Sequence, residues 1–264
     1  MPKQYCVGAV EKAIKILNFL AEHPDSSFSE IFTALELSKS TTYQTLSTLE
    51  MFHYVERLDN RQYRLAMGIL PLLRGIPKQN DIVECVRGPL TKLADETQFS
   101  VHFCILDAGS AICVFKAENG NISIRTTSVG RPLTLHSSAA GKALMAWLPA
   151  EQLEQYLSRI DYTPFTDSTI TTREGYLEEL RKTRERGFSV DHGEGTKGVL
   201  GIGVPVYRGD DLMGAISIGT VVTDSSMEEY ERIAGQMKKS AQEIEQNLVC
   251  LLYTSDAADE RSSV

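Results

Sequence analysis

The 264-residue chain has 42% hydrophobic and 23% charged residues, the composition of an ordinary globular protein rather than of a disordered or membrane-embedded one. Its net charge of −8 lies entirely beyond residue 75, because residues 1–75 hold eight Lys and Arg against eight Asp and Glu. An acidic average therefore does not exclude nucleic-acid binding by the neutral N-terminal part of the chain.

The sequence also predicts a cytoplasmic protein with no membrane partner. The apolar run Ile14–Leu20 is interrupted by Lys15 and Asn18, so it is too short and too polar for a membrane span or a signal peptide. Five cysteines fall at no paired spacing, which predicts neither a metal site nor a disulfide framework. We expect no cofactor.

In chain order, the first element is a helix with apolar residues at helical spacing, Val10, Ile14, Leu17 and Leu20. It is predicted to end near His23.

Two further helices follow closely. Ser27 and Glu30 form a capping-box pattern for a short second helix. Glu36-Leu37 then makes a turn, and Ser38 is a suitable N-cap for a third helix that reaches about Met51. Residues 53–58 and 62–65, joined by the turn residues 59–61, predict a β-hairpin.

The third helix has two different faces. Thr42, Leu46 and Leu49 share one face, whereas the opposite face is polar and uncharged. The predicted second helix leads through a tight turn into this third helix, and a hairpin follows. This is the pattern of a winged helix-turn-helix that reads double-stranded DNA. Short hydroxyls and amides can contact base edges without the repulsion of carboxylates. The predicted DNA-binding residues are Ser38, Lys39, Ser40, Thr41, Gln44, Thr45, Thr48, Arg57, Arg61 and Arg64.

A second domain is predicted beyond a break at residues 75–80. The predicted segments are a winged helix-turn-helix domain over 1–66, a linker helix (Met67–Leu73) and loop within 67–80, a binding domain over 81–249 and a tail over 250–264. The binding domain is predicted to have helices at 81–97, 138–147, 151–158, 173–186 and 226–249, and strands at 100–106, 111–116, 122–126, 188–191, 199–207 and 212–221. Strands that lead and trail a helical middle predict an α+β fold with a largely antiparallel sheet.

Two apparent motifs fail on context. Gly193, Gly195 and Gly198 match a dinucleotide fingerprint by letter, but a strand pattern follows instead of a helix. His136, Ser137 and Asp191 do not have the spacing of a hydrolase triad, and a lone histidine before a helix favours local hydrogen bonding.

Residues 135–142, LHSSAAGK, open a helix with small side chains directly after a strand-like stretch. Free amides at a helix N-terminus favour a carboxylate, and small side chains let it approach closely. Tight packing of the helix on a sheet selects the same residues, so both readings stay open at this point.

Several stretches together resemble the IclR family of bacterial transcriptional regulators, over residues 8 to about 249. These stretches are GRPLTLHSSAAGKAL from Gly130, RGFSVDHGE from Arg186, Gly198 with Val204-Pro205-Val206, SKSTTY from Ser38, and Tyr54-Val55-Glu56.

The resemblance implies a winged helix-turn-helix joined by a helix to a GAF-like effector-binding domain. It implies a homodimer or homotetramer on a palindromic operator and a small carboxylic acid as effector. By the same resemblance, the effector-binding residues are Ala139, Ala140, Gly141, Asp191, Gly201, Ser217 and Gly219.

Three positions depart from the family pattern. Gly201 stands where a cysteine is frequent, Gly219 where a second serine is frequent, and Gln44 where an arginine is usual. The two glycines predict a roomier pocket for an acid larger or less polar than a two-carbon keto acid, such as an aromatic or sugar-derived acid. Gln44 predicts a different operator sequence or affinity.

The last fifteen residues have a different character. CLLYTSDAADE, from Cys250, resembles the translation of a transposase-type sequencing-library adaptor, and no helical period is predicted to continue through it. We therefore expect residues 250–264 to be non-native.

The main hypothesis is a transcriptional regulator, most simply a repressor, and not an enzyme. One alternative is a small-molecule enzyme that uses the region of His136 and Asp191. Another is a sensor module that acts through protein partners.

Overall fold

The computed structural model describes residues 6–74, 79–118, 127–221 and 226–261. It divides into two compact units, Met1–Pro77 and Lys78–Val264. The predicted strand at 122–126 lies outside the described residues.

The first unit contains the three predicted helices and the hairpin. Its elements are α1 (Gly8–Glu22), β1 (Ser26–Ser27), α2 (Phe28–Ala34), α3 (Lys39–Met51), β2 (Val55–Arg57) and β3 (Gln62–Leu65). The strands form an antiparallel sheet in the order β1-β3-β2. Its core is formed by Ile16, Leu20, Ile31, Leu46, Leu49, Val55 and Tyr63.

Side-chain caps set the helix starts in this unit. The Ser27 hydroxyl accepts from the Glu30 amide (3.3 Å) while the Glu30 carboxylate accepts from the Ser27 amide (2.7 Å), which confirms the predicted capping box. Ser38 caps α3 by accepting from the Thr41 amide (3.2 Å). Glu36, in the turn between α2 and α3, has φ of 52°, a left-handed conformation that closes this turn.

The helix predicted from Met67 to Leu73 is two elements. A 3-10 turn covers Met67–Ile69, and α4 covers Leu70–Arg74. The tight turn lets Gly68 donate its amide to the His53 carbonyl (2.9 Å), and a Cβ at Gly68 would lie 2.3 Å from that oxygen.

The second unit is an α+β domain built on an antiparallel sheet. Its elements are α5 (Gln79–Thr97), β4 (Ser100–Asp107), β5 (Ser110–Ala117), β6 (Pro132–Leu133), α6 (Ala139–Ala146), α7 (Ala150–Leu157), α8 (Arg173–Arg186), β7 (Ser189–His192), β8 (Val199–Arg208), β9 (Asp211–Val221) and α9 (Met227–Arg261). Within the described residues the strand order is β6-β5-β4-β9-β8-β7, every pair antiparallel. The predicted fold class is confirmed.

Helices cover both faces of this sheet. Alternate strand residues such as Val101 and Ile216 pack in one core with α5 and α9. The residues between them, such as Cys104 and Ala215, pack in a second core with α6, α7 and α8. A strand that is buried on both faces reads as a nearly continuous apolar run, as β4 does.

The last helix is longer than predicted. The backbone of α9 stays helical to Arg261, so the expectation that the helical pattern stops near Val249 is wrong. Extending an existing helix is far easier than nucleating one, and the Ala, Glu and Arg residues at 257–261 are good helix formers. Among the described residues, no helix is both long and apolar enough to cross a membrane.

Candidate functional sites

The outer face of α3 is polar, uncharged and exposed. Thr42, Leu46 and Leu49 point into the core as predicted, while Ser40, Gln44 and Thr48 are exposed. Tyr43, 60% exposed, and Ser47 share this exposed surface and were not among the predicted residues. The sequence could have predicted both residues, because each lies next to a residue of the predicted DNA-binding face: Tyr43 next to Gln44 and Ser47 next to Thr48.

Several hydroxyls on α3 already have partners within the helix. Ser38 caps the helix and donates to the Thr41 hydroxyl (2.9 Å), and Thr48 donates to the Gln44 carbonyl (2.8 Å). Thr45 is only half-exposed. Gln44 and Tyr43 are the longest polar side chains on this face, so they have the greatest reach toward a bound molecule.

The predicted basic residues do not share one face of the hairpin. Arg57 pairs with Tyr63 across the hairpin and its guanidinium lies 5.9 Å from that ring's centroid. Arg64 pairs with Glu56, one residue along, and forms an ion pair with it. Because successive strand residues point to opposite faces, Arg57 and Arg64 lie on opposite sides of the hairpin. The expectation that both surround the α3 face needs this correction.

The other two basic residues lie at the start of α3 and in the hairpin turn. Arg61 sits in the hairpin turn with φ of 66°. Lys39, at the start of α3, has its ammonium 5.4 Å from the centroid of the Phe32 ring. Both residues are exposed, so both can place a cation against a phosphate.

The second unit contains a cavity of about 330 Å³ between the sheet and the start of α6. Its volume suits a small organic molecule. The described lining is His102, Thr127, Arg131, Pro132, Leu133, Thr134, Ser137, Ser138, Ala139, Phe165, Asp191, Gly195, Thr196, Val199, Leu200, Gly201, Ser217, Ile218 and Gly219.

The floor of this cavity follows from strand register. Ser100, Gly219, Gly201 and Asp191 form one row across β4, β9, β8 and β7. His102, Ser217, Gly203 and Ser189 form the next row. Paired residues on adjacent strands share a face, so both rows point to the α6 side of the sheet.

The start of α6 lies directly above this floor. Ser138 caps the helix by accepting from the Gly141 amide (3.0 Å), and it donates to the Thr134 carbonyl (2.6 Å). The amides of Ala139 and Ala140 occupy the first helical turn, where no helical carbonyl is available to them. Among the described residues, Ala139 lines the cavity, whereas Ala140 and Gly141 do not.

Gly141 has a packing role in the structure. A Cβ at this position would lie 2.5 Å from both the Leu135 Cα and the Thr134 carbonyl oxygen. Its amide is bonded to Ser138 and it does not reach the cavity, so the structure does not support its predicted contact with the effector. For this residue the packing alternative holds.

Asp191 places a carboxylate in the cavity. Burial raises its pKa to about 6, although its Oδ1 accepts from the Glu194 amide (2.7 Å), which opposes the rise. A perturbed carboxylate in a cleft is a typical mark of a binding or catalytic site. Ser217, from the adjacent row, also lines the cavity, and only 8% of each residue is exposed.

A buried ion pair holds the loop after Asp191 against α6. Lys142 is fully buried, pairs with Glu194 and donates to the Val190 carbonyl (2.7 Å). Ser189 donates to the Ala139 carbonyl (2.6 Å), which ties β7 to the start of α6. These bonds fix the walls of the cavity relative to each other.

Gly201 does not leave the open space that the sequence predicted. A Cβ there would lie 2.9 Å from that of Ala139 and 3.2 Å from that of Asp191. The glycine instead lets the start of α6 approach the sheet. Gly219 lines the cavity as expected.

His136, Ser137 and Asp191 do not form a triad. The His136 ring packs against Tyr162 and Phe165, and its Nε2 is 3.2 Å from the Thr163 carbonyl. The Ser137 hydroxyl is bonded to that of Thr134.

Sequence reasoning missed the two basic residues of the lining, Arg131 and His102. Arg131 is an exposed cation beside β6 and borders the cavity. It lies within the stretch GRPLTLHSSAAGKAL, which indicated the family but not a role for this arginine. His102 is buried on β4, and burial lowers its pKa to about 4. The alternation along β4 could have placed His102 on the Cys104 face, but not opposite Ser217.

Comparison with known proteins agrees with this architecture. The family model of the IclR helix-turn-helix domain matches residues 9–59. The model described as bacterial transcriptional regulator IclR C-terminal matches residues 76–246.

Relatives and solved structures match the chain across both units. The chain is 30% identical over 237 residues to the HTH-type transcriptional regulator XynR of Escherichia coli, which covers 89% of this chain and 94% of XynR. It superposes on the crystal structure of Thermotoga maritima IclR with a TM-score of 0.73 and 28% identity, covering 91% and 98% of the two chains.

A further solved structure supports the fold alone. It is an IclR homologue from Microbacterium hydrocarbonoxydans complexed with 4-hydroxybenzoate, with a TM-score of 0.74, 18% identity and coverage of 92% and 99%. The matched models span both units, and the relatives are regulators rather than enzymes. The chain therefore belongs to the IclR family of bacterial transcriptional regulators.

Proposed function

We propose that this protein is a repressor that binds a double-stranded DNA operator and whose DNA affinity is controlled by a small organic acid. The observation that carries the proposal is the cavity over the sheet, which is lined by Ala139 at the start of α6, by Arg131 and by Asp191. The helix start and Arg131 suit an anion, while Asp191 suits a hydrogen-bond donor.

The DNA-binding half rests on the exposed face of α3. Gln44 and Tyr43 are exposed on it, Lys39 begins the helix, and Arg61 is exposed in the hairpin turn. Amide and hydroxyl groups read base edges, while the cations contact phosphate. We infer that a homodimer or homotetramer places two such helices on a palindromic operator in the cytoplasm, where bacterial DNA lies.

The effector half rests on the fold and on the cavity. A fold neighbour is known in complex with 4-hydroxybenzoate, so a protein of this fold can hold a small carboxylic acid. In this chain we place the carboxylate at the amide of Ala139, which lines the cavity, with Arg131 as its counter-ion. Asp191 and Ser217 then face the body of the effector.

We favour repression because a protein that occupies an operator blocks access to it without any further contact. Activation needs an additional surface that recruits polymerase. A reporter gene under the operator would separate the two, since deletion of a repressor raises expression and deletion of an activator lowers it.

The experiment that tests the effector site compares carboxylic acids with their matching amides by calorimetry. Acids should bind and neutral amides should not, because the amide lacks the charge that the helix start and Arg131 favour. Arg131→Gln should weaken acid binding, while Arg159→Gln, on an exposed residue outside the lining, serves as the control. Equal binding of acids and amides would contradict the anion site.

A further inference from the structure

His102 has a buried nitrogen that lacks a partner within the described part of the chain. The residue is 3% exposed and lines the cavity, and its Nε2 forms no hydrogen bond with any described atom. A buried polar atom that is left unpaired destabilises the folded protein, so such atoms are rare unless a ligand or water supplies the missing hydrogen bond.

The ring of His102 faces its direct partner on β9, Ser217, whose backbone favours the protonated ring. We place the single proton of the neutral ring on Nδ1, because Nε2 has no partner among the described residues. The ring is neutral at physiological pH, since burial and the nearby Lys116 both lower its pKa. Nε2 is therefore a bare acceptor.

The floor holds a second acceptor. Asp191, in the neighbouring row two strands beyond β9, adds a carboxylate that also lines the cavity. A ligand that satisfies this floor must bring hydrogen-bond donors.

We propose that His102 binds the effector directly, with its Nε2 accepting a hydrogen bond from an effector hydroxyl, so that the effector is a hydroxylated carboxylic acid. This inference rests on the proposed function, because it adds a hydroxyl at the floor to a carboxylate at α6. A simple keto acid or an unsubstituted acid has no donor for this nitrogen. It leaves Nε2 buried and unpaired.

Matched pairs of acids test this on the unmodified protein. The probes are 4-hydroxybenzoate against benzoate, D-gluconate against hexanoate, and lactate against pyruvate and propionate. In at least one pair the hydroxy acid should bind roughly 10- to 100-fold more tightly than its partner, because a site built for a hydroxyl penalises its loss. Acids that bind with equal affinity with and without the hydroxyl would overturn the role of His102 and leave the anion site standing.

The variant His102→Asn tests the atom itself. The Asn amide can replace Nδ1 as a donor, but it has no counterpart of Nε2. It should lose the preference for the hydroxy acid while still binding the deoxy acid as before. His192→Asn is the control, because His192 also lies on a strand but its ring packs at a tilt against that of Tyr230, outside the lining.

Nitrogen NMR of the histidine rings gives a readout that does not depend on the variant folding. Without ligand, His102 should show one unprotonated nitrogen, and the hydroxy acid should shift that signal while benzoate does not. A protonated Nε2 in the free protein would overturn the proposal. Failure of every acid to bind would overturn the proposed function together with this inference.

Discussion

At the scale of single residues, Asp191 holds a carboxylate in a position where its ionisation is unfavourable. Burial raises its pKa from 3.8 to about 6, against the opposing effects of the Glu194 amide and of Lys142. The folded chain thus binds this proton more tightly than the unfolded chain does. The stability that this group contributes is fully present below about pH 4 and is lost as the pH rises through about 6.

We therefore expect Asp191→Asn to be more stable than the original protein at pH 7, by up to about 3 kcal/mol. The difference should vanish near pH 4, where both side chains are neutral. Denaturant unfolding across this pH range measures it, with the exposed Asp210→Asn as control. The same variant should bind the effector more weakly. A residue that lowers the stability of the folded protein, as Asp191 does at pH 7, is typical of a binding site. An Asn variant that is less stable at pH 7 would contradict this account.

Gly141 provides a second test of single-residue packing. An added Cβ would lie 2.5 Å from the backbone of residues 134–135, so Gly141→Ala should destabilise the protein by about 1–3 kcal/mol. Gly235→Ala is the matched control, because this α9 glycine has open space around it and alanine should stabilise the helix by about 0.5–1 kcal/mol. Thermal unfolding of both variants would show opposite shifts. Shifts of the same sign would refute the packing role.

Prediction of residue roles from sequence succeeded where a role depends on local pattern. The core face of α3 and the Ser27–Glu30 capping box are set by residues three or four apart, and both are confirmed. The position of His102 depends on pairing with Ser217, 115 residues later, which periodicity does not reveal. The crowding at Gly201 depends in the same way on Ala139 and Asp191, so it was missed.

At the scale of elements, the hairpin β2–β3 has an internal ion pair between Arg64 and Glu56, which we expect to compete with DNA phosphate for Arg64. Glu56 neutralises Arg64 on one side of the hairpin, while Arg61 in the turn lies outside this pair. We expect Arg61→Ala to weaken binding to all DNA sequences and to lower the salt slope by about one unit. Arg64→Ala should have a smaller effect, and Glu56→Gln should tighten binding by releasing Arg64.

Fluorescence anisotropy of a labelled duplex at several salt concentrations measures these effects. Glu22→Gln, an exposed change at the end of α1, controls for the loss of one negative charge. Tighter binding by both glutamine variants to the same extent would assign the effect to net charge rather than to the hairpin pair.

The bounds of elements with a clear hydrophobic repeat were predicted closely. Two-residue strands and the extension of the last helix were not predicted. The bounds of α8 match, and those of α3 and β3 agree with the prediction as well. β1 and β6 have two residues each, too few for any alternation to show. The helical continuation of α9 past Val249 depends on propagation from the preceding turns, which a search for apolar periodicity overlooks.

At the scale of the whole molecule, the chain joins a DNA-reading unit to a unit with a small-molecule cavity. A helix-turn-helix reads half-sites about one helical turn, or a multiple of it, apart, so one copy cannot occupy a palindromic operator. We expect at least a dimer in sedimentation at micromolar concentration. A monomer that still binds its operator tightly would contradict this expectation.

We propose that the cavity in one unit controls DNA binding by the other. The most direct measurement is the affinity for the operator duplex, selected from random DNA with this protein, at increasing concentrations of the acid that binds most tightly. We predict that the acid changes operator affinity by about 5- to 150-fold, and that operator DNA changes acid affinity by the same factor. Arg131→Gln should require more acid for the same change. An acid that saturates the cavity and leaves operator affinity unchanged would contradict the account.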